Sequence, residues 1–170
     1  AGERASAMTE QKNPRDGFRL ITPLRVRYAE CDLQGIVFNA HYMAFADIGL
    51  TEYMRALVAA DRPQGKDDMM GTFTRHFGGD NWVRHADVDF RAPAKADDLL
   101  DIAVRITRFG KTSYALLVHI LRGEELLNVV KLTYVWFDPE TEQVSPVSAK
   151  FIEAVSNFEL IRPERAVVNV

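Results

Sequence analysis

The chain has a single cysteine, Cys31, in 170 residues. With no partner in the chain, an intrachain disulfide is impossible and a secreted disulfide scaffold is excluded. No apolar run approaches the roughly 20 residues that a membrane-spanning helix needs. Charge of one sign is lacking too. The 21 Lys and Arg stand against 24 Asp and Glu, a net charge of −3, so there is no basic field of the kind that nucleic-acid binding leaves. Glycine and proline are few, 10 and 7, which excludes a collagen-like chain. The residues that are present, 47% hydrophobic and 26% charged, fit one globular domain with a sizeable core.

The N-terminal segment AGERASAMTEQKNPRD has no apolar period. It lacks the apolar central stretch of a signal peptide. Residues 1–17 are therefore expected to be a disordered tail or a leftover of an expression vector, and residues 18–170 a single domain. Without a targeting signal the expected compartment is the cytoplasm.

Hydrophobic period places the elements. Leu20, Thr22, Leu24, Val26 and Tyr28 alternate with Arg19, Pro23, Arg25 and Arg27, a strand with one basic face. From 40 to 60 the period changes. Met43, Ala46, Leu50, Met54, Leu57 and Val58 fall three or four apart, a helical stripe that Phe45 and Ile48 widen. That helix is expected to be buried on more than one side. Residues 61–80 hold Pro63, Gly65, Gly71, Gly78 and Gly79 and read as a long irregular connection. Trp82, Ala86, Val88 and Phe90 then alternate with His85, Asp87, Asp89 and Arg91. Ile102, Val104 and Ile106 follow the same period. Gly110 and Gly123 mark hairpin turns. The segment 126–137, apolar on both faces, reads as a central strand, and Ser148 is placed to cap a last helix. A helix this apolar is most simply buried by an antiparallel sheet curled around it, an α+β architecture.

The chemistry concentrates in YAECDLQGIVFNAHY, residues 28–42. An acidic residue, Asp32, lies on a loop between a strand and the long helix. Gly35 permits a turn that a side chain would obstruct. Asn39 is placed to begin the helix, whose first N–H groups lack intrahelical acceptors and sit at the positive end of the dipole. A carbonyl oxygen held there is polarised, and an oxyanion is stabilised more strongly still. A carboxylate in front of that carbonyl can attack it or activate water. Acyl-transfer hydrolysis needs those two elements, and thioesters suit it because a thiolate leaves without a strong acid.

That run, with Glu52-Tyr53 in the helix, resembles the 4-hydroxybenzoyl-CoA thioesterase family of hotdog-fold enzymes, and most of all its small bacterial acyl-CoA thioesterases. The likeness continues through Val88-Asp89-Phe90-Arg91-Ala92-Pro93-Ala94, Asp97-Asp98 and Gly110-Lys111-Thr112-Ser113, and covers roughly residues 20–155. It implies a five-stranded antiparallel sheet wrapped around the long helix, with two subunits joined sheet edge to sheet edge and active sites at their interface. It implies hydrolysis of acyl-CoA to free acid and coenzyme A. Asp32 matches the catalytic aspartate, as nucleophile or general base. Asn39 matches the position whose backbone N–H faces the thioester carbonyl, and His41 follows in the catalytic motif. Gly35, Val37 and Tyr42 fall on the substrate-binding side. Lys111, Thr112 and Ser113, with Arg108 nearby, fall where some members meet the phosphates of coenzyme A. Cations suit that role, since phosphates are anionic.

Other readings compete. An acyl carrier protein as thioester donor would favour a basic rim, and Arg19, Arg25 and Arg27 keep that reading open. A non-catalytic acyl-CoA-binding dimer is a second, since fold alone never settles function. Cys31 has no base in a defined relation to it, so a cysteine nucleophile is disfavoured. Asp47 and Glu52 read as polar-face or interface residues. His76, His85 and His119 read as surface or satisfied core residues. The spacing of His85, Asp87 and Asp89 matches no zinc or calcium site. No metal, cofactor, nucleic acid or membrane span is expected beyond the coenzyme A of the substrate. A homodimer or tetramer is expected.

Overall fold

The computed structural model describes residues 13–61 and 69–166. In chain order the elements are β1 (Leu20–Arg25), a 3-10 turn (Tyr28–Glu30), α1 (His41–Asp61), α2 (Met69–Phe77), β2 (Asp80–Phe90), β3 (Leu99–Phe109), β4 (Ser113–Arg122), β5 (Glu125–Asp138), β6 (Gln143–Val144), α3 (Ala149–Phe158) and β7 (Glu164–Arg165). Five long strands form one antiparallel sheet in the order β1-β3-β4-β5-β2. The two-residue strands β6 and β7 are appended to β5 and β3. The expected hotdog architecture is present, with β5 inside the sheet. β2 does not pair with its sequence neighbour β3. It crosses to the far side and pairs only with β5 among the described residues.

α1 lies on the inner face of the sheet. Its buried residues are Tyr42, Phe45, Ala46, Gly49, Leu50, Tyr53, Met54 and Leu57, one stripe at a 3.6-residue period. Burial on several sides, expected from Ile48, does not occur: Ile48 is 37% exposed, and Ala44, Asp47 and Arg55 share the open side. The sheet wraps one face of the helix and leaves the opposite one bare. Contact is close at Gly49, where an added Cβ would lie 2.6 Å from the Ile102 side chain and 2.7 Å from that of Val104.

Two further expectations need correction. The connection over 61–80 contains α2, because Phe73 and Phe77, four residues apart, bury their rings against Phe151, and Phe73 also meets Trp136. The glycines flank or begin this helix. Pro63 and Gly65 lie outside the described residues. In β2, the alternation that puts Trp82 with Ala86 is broken by a bulge at Arg84, since Val83 pairs Tyr134 while His85 pairs Thr133. Trp82 therefore faces outward and stacks on Phe137 at 3.9 Å.

The N-terminal segment read as a tail is packed where it is described. Asn13 to Gly17 form a turn, Arg15 pairs with Asp101, and the Pro14 carbonyl meets His119 Nδ1 at 2.7 Å. Phe18 then closes a small second core on the outer sheet face with Ala103 and Leu121. Ser148 caps α3 as its sequence suggests, its Oγ accepting from the Phe151 N–H at 3.1 Å. No described helix is long and apolar enough to cross a membrane.

Candidate active site

The loop between β1 and α1 is held by local bonds. Buried Glu30 accepts from the Arg27 backbone N–H at 2.7 Å and from the Arg27 guanidinium at 2.5 and 2.8 Å. The Glu30 carbonyl in turn accepts the Phe38 N–H at 2.9 Å. Inside this frame Asp32 to Gly35 make a tight turn, closed by Asp32 N–H to the Ile36 carbonyl and Gly35 N–H to the Asp32 carbonyl, both 2.9 Å. Gly35 sits at φ +75°, where a side chain would be strained. One Asp32 carboxylate oxygen, Oδ1, accepts the Gln34 N–H at 2.8 Å. Its other oxygen has no protein partner among the described residues.

The far wall comes from the segment that follows β2. The Val37 N–H donates to the Ala94 carbonyl at 2.9 Å, and Ile36 bridges to Lys95. Asp98 fixes this segment, accepting from the Lys95 N–H at 2.8 Å and from Arg122 at 2.7 Å. Burial pushes the Asp98 carboxyl upward, but the Lys95 N–H and the Arg122 guanidinium outweigh it and hold it below the usual carboxylate range. Tyr42, on the first turn of α1, accepts the Ala94 N–H at 2.9 Å. Burial raises its phenol above the ordinary value, so it stays neutral near pH 7.

Between these walls lies a cleft of about 380 Å³. Asp32, Val37, Asn39 and Tyr42 all line it. At the foot of α1 the His41 N–H donates to the Phe38 carbonyl at 2.9 Å and the Tyr42 N–H to that of Asn39 at 3.3 Å. The N–H groups of Asn39 and Ala40 have no acceptor among the described residues. The helix proper begins at His41 rather than directly after Asn39, so the unpaired donors belong to the two residues just before it. His41 sits beside the cleft, its ring 6.4 Å from Phe38 and 6.5 Å from Phe45, and is not among the lining residues. Gly35 shapes the turn without lining the cleft.

Four expected substrate-binding residues lie elsewhere in the chain. Arg108, Lys111, Thr112 and Ser113 occupy the β3–β4 hairpin, at the opposite end of β3 from the cleft. Eleven residues of strand separate the two ends, about 35 Å at 3.3 Å per residue. One chain does not bring them to Asp32. Sequence reasoning gave no role to Phe90, Arg91, Ala92 and Pro93, which form a wall of the cleft. Their stretch stood out in the resemblance, but only the bend after β2, where both the Arg91 and Ala92 N–H groups donate to the Leu127 carbonyl, turns them toward Asp32. Cys31 is half-buried and free. His85, Asp87 and Asp89 are exposed on an edge strand, and no group of three or more His, Cys, Asp or Glu is placed to hold a metal among the described residues.

The fold is that of a known class. The family model of the thioesterase superfamily matches residues 34–128, and the chain belongs to that superfamily. At the level of individual proteins, it is 31% identical to an acyl-CoA thioester hydrolase, YbgC, of Escherichia coli O6:H1, over 69% of this chain and 81% of that protein. The structure of a probable thioesterase from Bartonella henselae superposes with a TM-score of 0.59 at 27% identity, covering 77% of this chain and 98% of that one. A thioesterase from Thermus thermophilus, solved with coenzyme A and zinc, superposes with a TM-score of 0.69 at 17% identity, over 84% and 96% of the two chains. That last likeness speaks for the fold.

Proposed function

We infer that this protein hydrolyses acyl-CoA thioesters to the free acid and coenzyme A in the cleft between Asp32 and Tyr42. The observation that carries this is a carboxylate with one uncommitted oxygen in the same cleft as Asn39, whose backbone N–H, like that of Ala40 next to it, has no acceptor among the described residues. A thioester carbonyl resting on the Asn39 and Ala40 N–H groups is polarised, and its charge as it becomes tetrahedral is stabilised where it develops. Asp32 then acts in one of two ways. It attacks the carbonyl carbon and forms an anhydride that water opens, or it takes a proton from a water whose oxygen attacks that carbon. In both, the C–S bond breaks as the tetrahedral species collapses, and coenzyme A leaves as a thiolate that is then protonated.

Arg91 is the one cation among the lining residues, and its Nε is bound to Asp89 at 2.8 Å. Phosphate contact therefore calls for the hairpin of a second copy. β2 offers the means. Its outer edge is unpaired among the described residues, and Val83 and Phe90 are 51% and 53% exposed beside it. Antiparallel pairing of β2 with its symmetry mate sets the Phe90 end of one strand against the Asp80 end of the other. The hairpin lies at that Asp80 end, since Ser113 pairs with Val135 and Val135 with Trp82. A dimer so formed carries Lys111 of the second copy toward this cleft. In solution the mass should be two or four times the 19.2 kDa of one chain, and a 19.2 kDa species in light scattering at micromolar concentration would contradict the dimeric site.

The acyl-carrier-protein reading gains little. Arg25 is paired with Asp97, Arg27 with Glu30, and Arg19 lies on the Phe158 ring and carbonyl, so the basic face is largely committed within the chain. Thiol release from a set of acyl-CoAs tests the function. Turnover is expected, and binding without any thiol release would favour a non-catalytic module. In the same assay Lys111→Ala should raise KM several-fold with little change in kcat, because phosphate contacts bind ground and transition states alike. An unchanged KM removes Lys111 from the site.

A further inference from the structure

Beyond this, and resting on the thioesterase reading, we propose that Asn128 reads the far end of the acyl group, and that the preferred substrate carries a hydroxyl or similar hydrogen-bonding function there. Asn128 is 0% exposed, and neither its Oδ1 nor its Nδ2 has a hydrogen-bond partner among the described residues. Buried side-chain amides are nearly always satisfied, because an unpaired donor or acceptor keeps its full desolvation cost. The other inward positions of β5, Val130, Leu132, Tyr134 and Trp136, are apolar or aromatic. A leucine at 128 would continue that pattern with nothing left unpaired.

Its position in the sheet ties it to the cleft. In the β2–β5 register Asn128 stands opposite Phe90. Directly opposed residues project from the same face, with Cβ atoms about 5 Å apart. Phe90 lines the cleft, is half exposed, and meets Tyr42 edge-on at 5.5 Å. Asn128 thus stands beside a cleft-wall residue on the same face of the sheet. The strand bends here, where the Leu127 carbonyl takes the Arg91 and Ala92 N–H groups, so the wall of the cleft folds over this segment of β5. A side-chain amide carries two N–H donors and a carbonyl acceptor, and a hydroxyl can donate to Oδ1 or accept from Nδ2.

Matched acyl-CoAs test this: pentanoyl through octanoyl thioesters, each against its ω-hydroxy counterpart, with wild type, Asn128→Leu and Asn128→Ser. A site built to hydrogen-bond a hydroxyl rejects the analogue lacking it far more strongly than an apolar pocket rejects a methylene. Wild type should therefore favour the hydroxylated member by about 10²-fold or more in kcat/KM at one chain length. Asn128→Leu should lose that preference while still hydrolysing the plain thioesters, and Asn128→Ser should keep part of it. Equal rates for both members at every length in wild type overturn the assignment, whether or not the variants fold. A preference that survives in Asn128→Leu overturns it also. Failure of wild type to release thiol from any of the set overturns the thioesterase reading itself, and this inference with it.

Discussion

Asp32→Asn is expected to lower kcat for thioester hydrolysis by about 10²–10⁴-fold, the range lost with a positioned base, while folding and assembly are unchanged. The substitution is selective for a structural reason. Oδ1 of Asp32 accepts the Gln34 N–H, and an asparagine oxygen accepts it equally well, so the turn survives. What is lost is the negative charge and the ability to take a proton or attack a carbon. KM should move little, since the lost interaction belongs to the transition state. Steady-state thiol release beside thermal melting checks both halves. A variant with nearly full kcat would remove Asp32 from the chemistry, and a variant that melts early would make its role that of a loop brace.

The largest expected effect on stability is at the other end of the molecule. Phe151, on α3, is fully buried, and its ring meets those of Phe73, Phe77, Phe109, Tyr114 and Trp136 at 4.9 to 5.9 Å. It joins α2, α3 and three strands of the sheet. Phe151→Ala leaves a cavity that five aromatic neighbours can fill only in part, which costs about 3–5 kcal/mol. For a chain of this size the melting temperature should fall by roughly 10 °C. At a temperature where the variant stays folded, kcat should be preserved, because the cleft lies at the opposite end of β3. A drop of only a degree or two would mean that the cluster closes around the gap.

Much of this organisation is legible in the residues. The 3.6-residue stripe of α1 and the two-residue alternation of β3 to β5 follow from which side chains must leave water, and that pattern is local. The turn glycines and the Ser148 cap act within a few residues. The misreadings share a cause, dependence on contacts distant in sequence. α2 is a single buried turn pair, Phe73 and Phe77, that makes sense only against Phe151. The outward face of Trp82 depends on one extra residue in β2, which period alone does not reveal. The site divides in the same way. Asp32, Val37, Asn39 and Tyr42 belong to one continuous motif and share one cleft, whereas Phe90 to Pro93 reach it through the β2–β5 pairing. Lys111 and its neighbours are distant from Asp32 within the chain, and their part in the site rests on the proposed pairing of two copies. The orphaned amide of Asn128 has no sequence signature, because an asparagine in a strand is ordinarily a surface residue.

A crystal structure of Asp32→Asn with an intact acyl-CoA would show whether the Asp32 position faces a thioester carbon whose oxygen rests on the Asn39 and Ala40 N–H groups. The thioester oxygen is expected within hydrogen-bond distance, about 2.7–3.2 Å, of at least one of those nitrogens, with the residue-32 side chain against the carbonyl carbon. A thioester bound on the outer sheet face, or one whose carbonyl points away from the foot of α1, would contradict this arrangement.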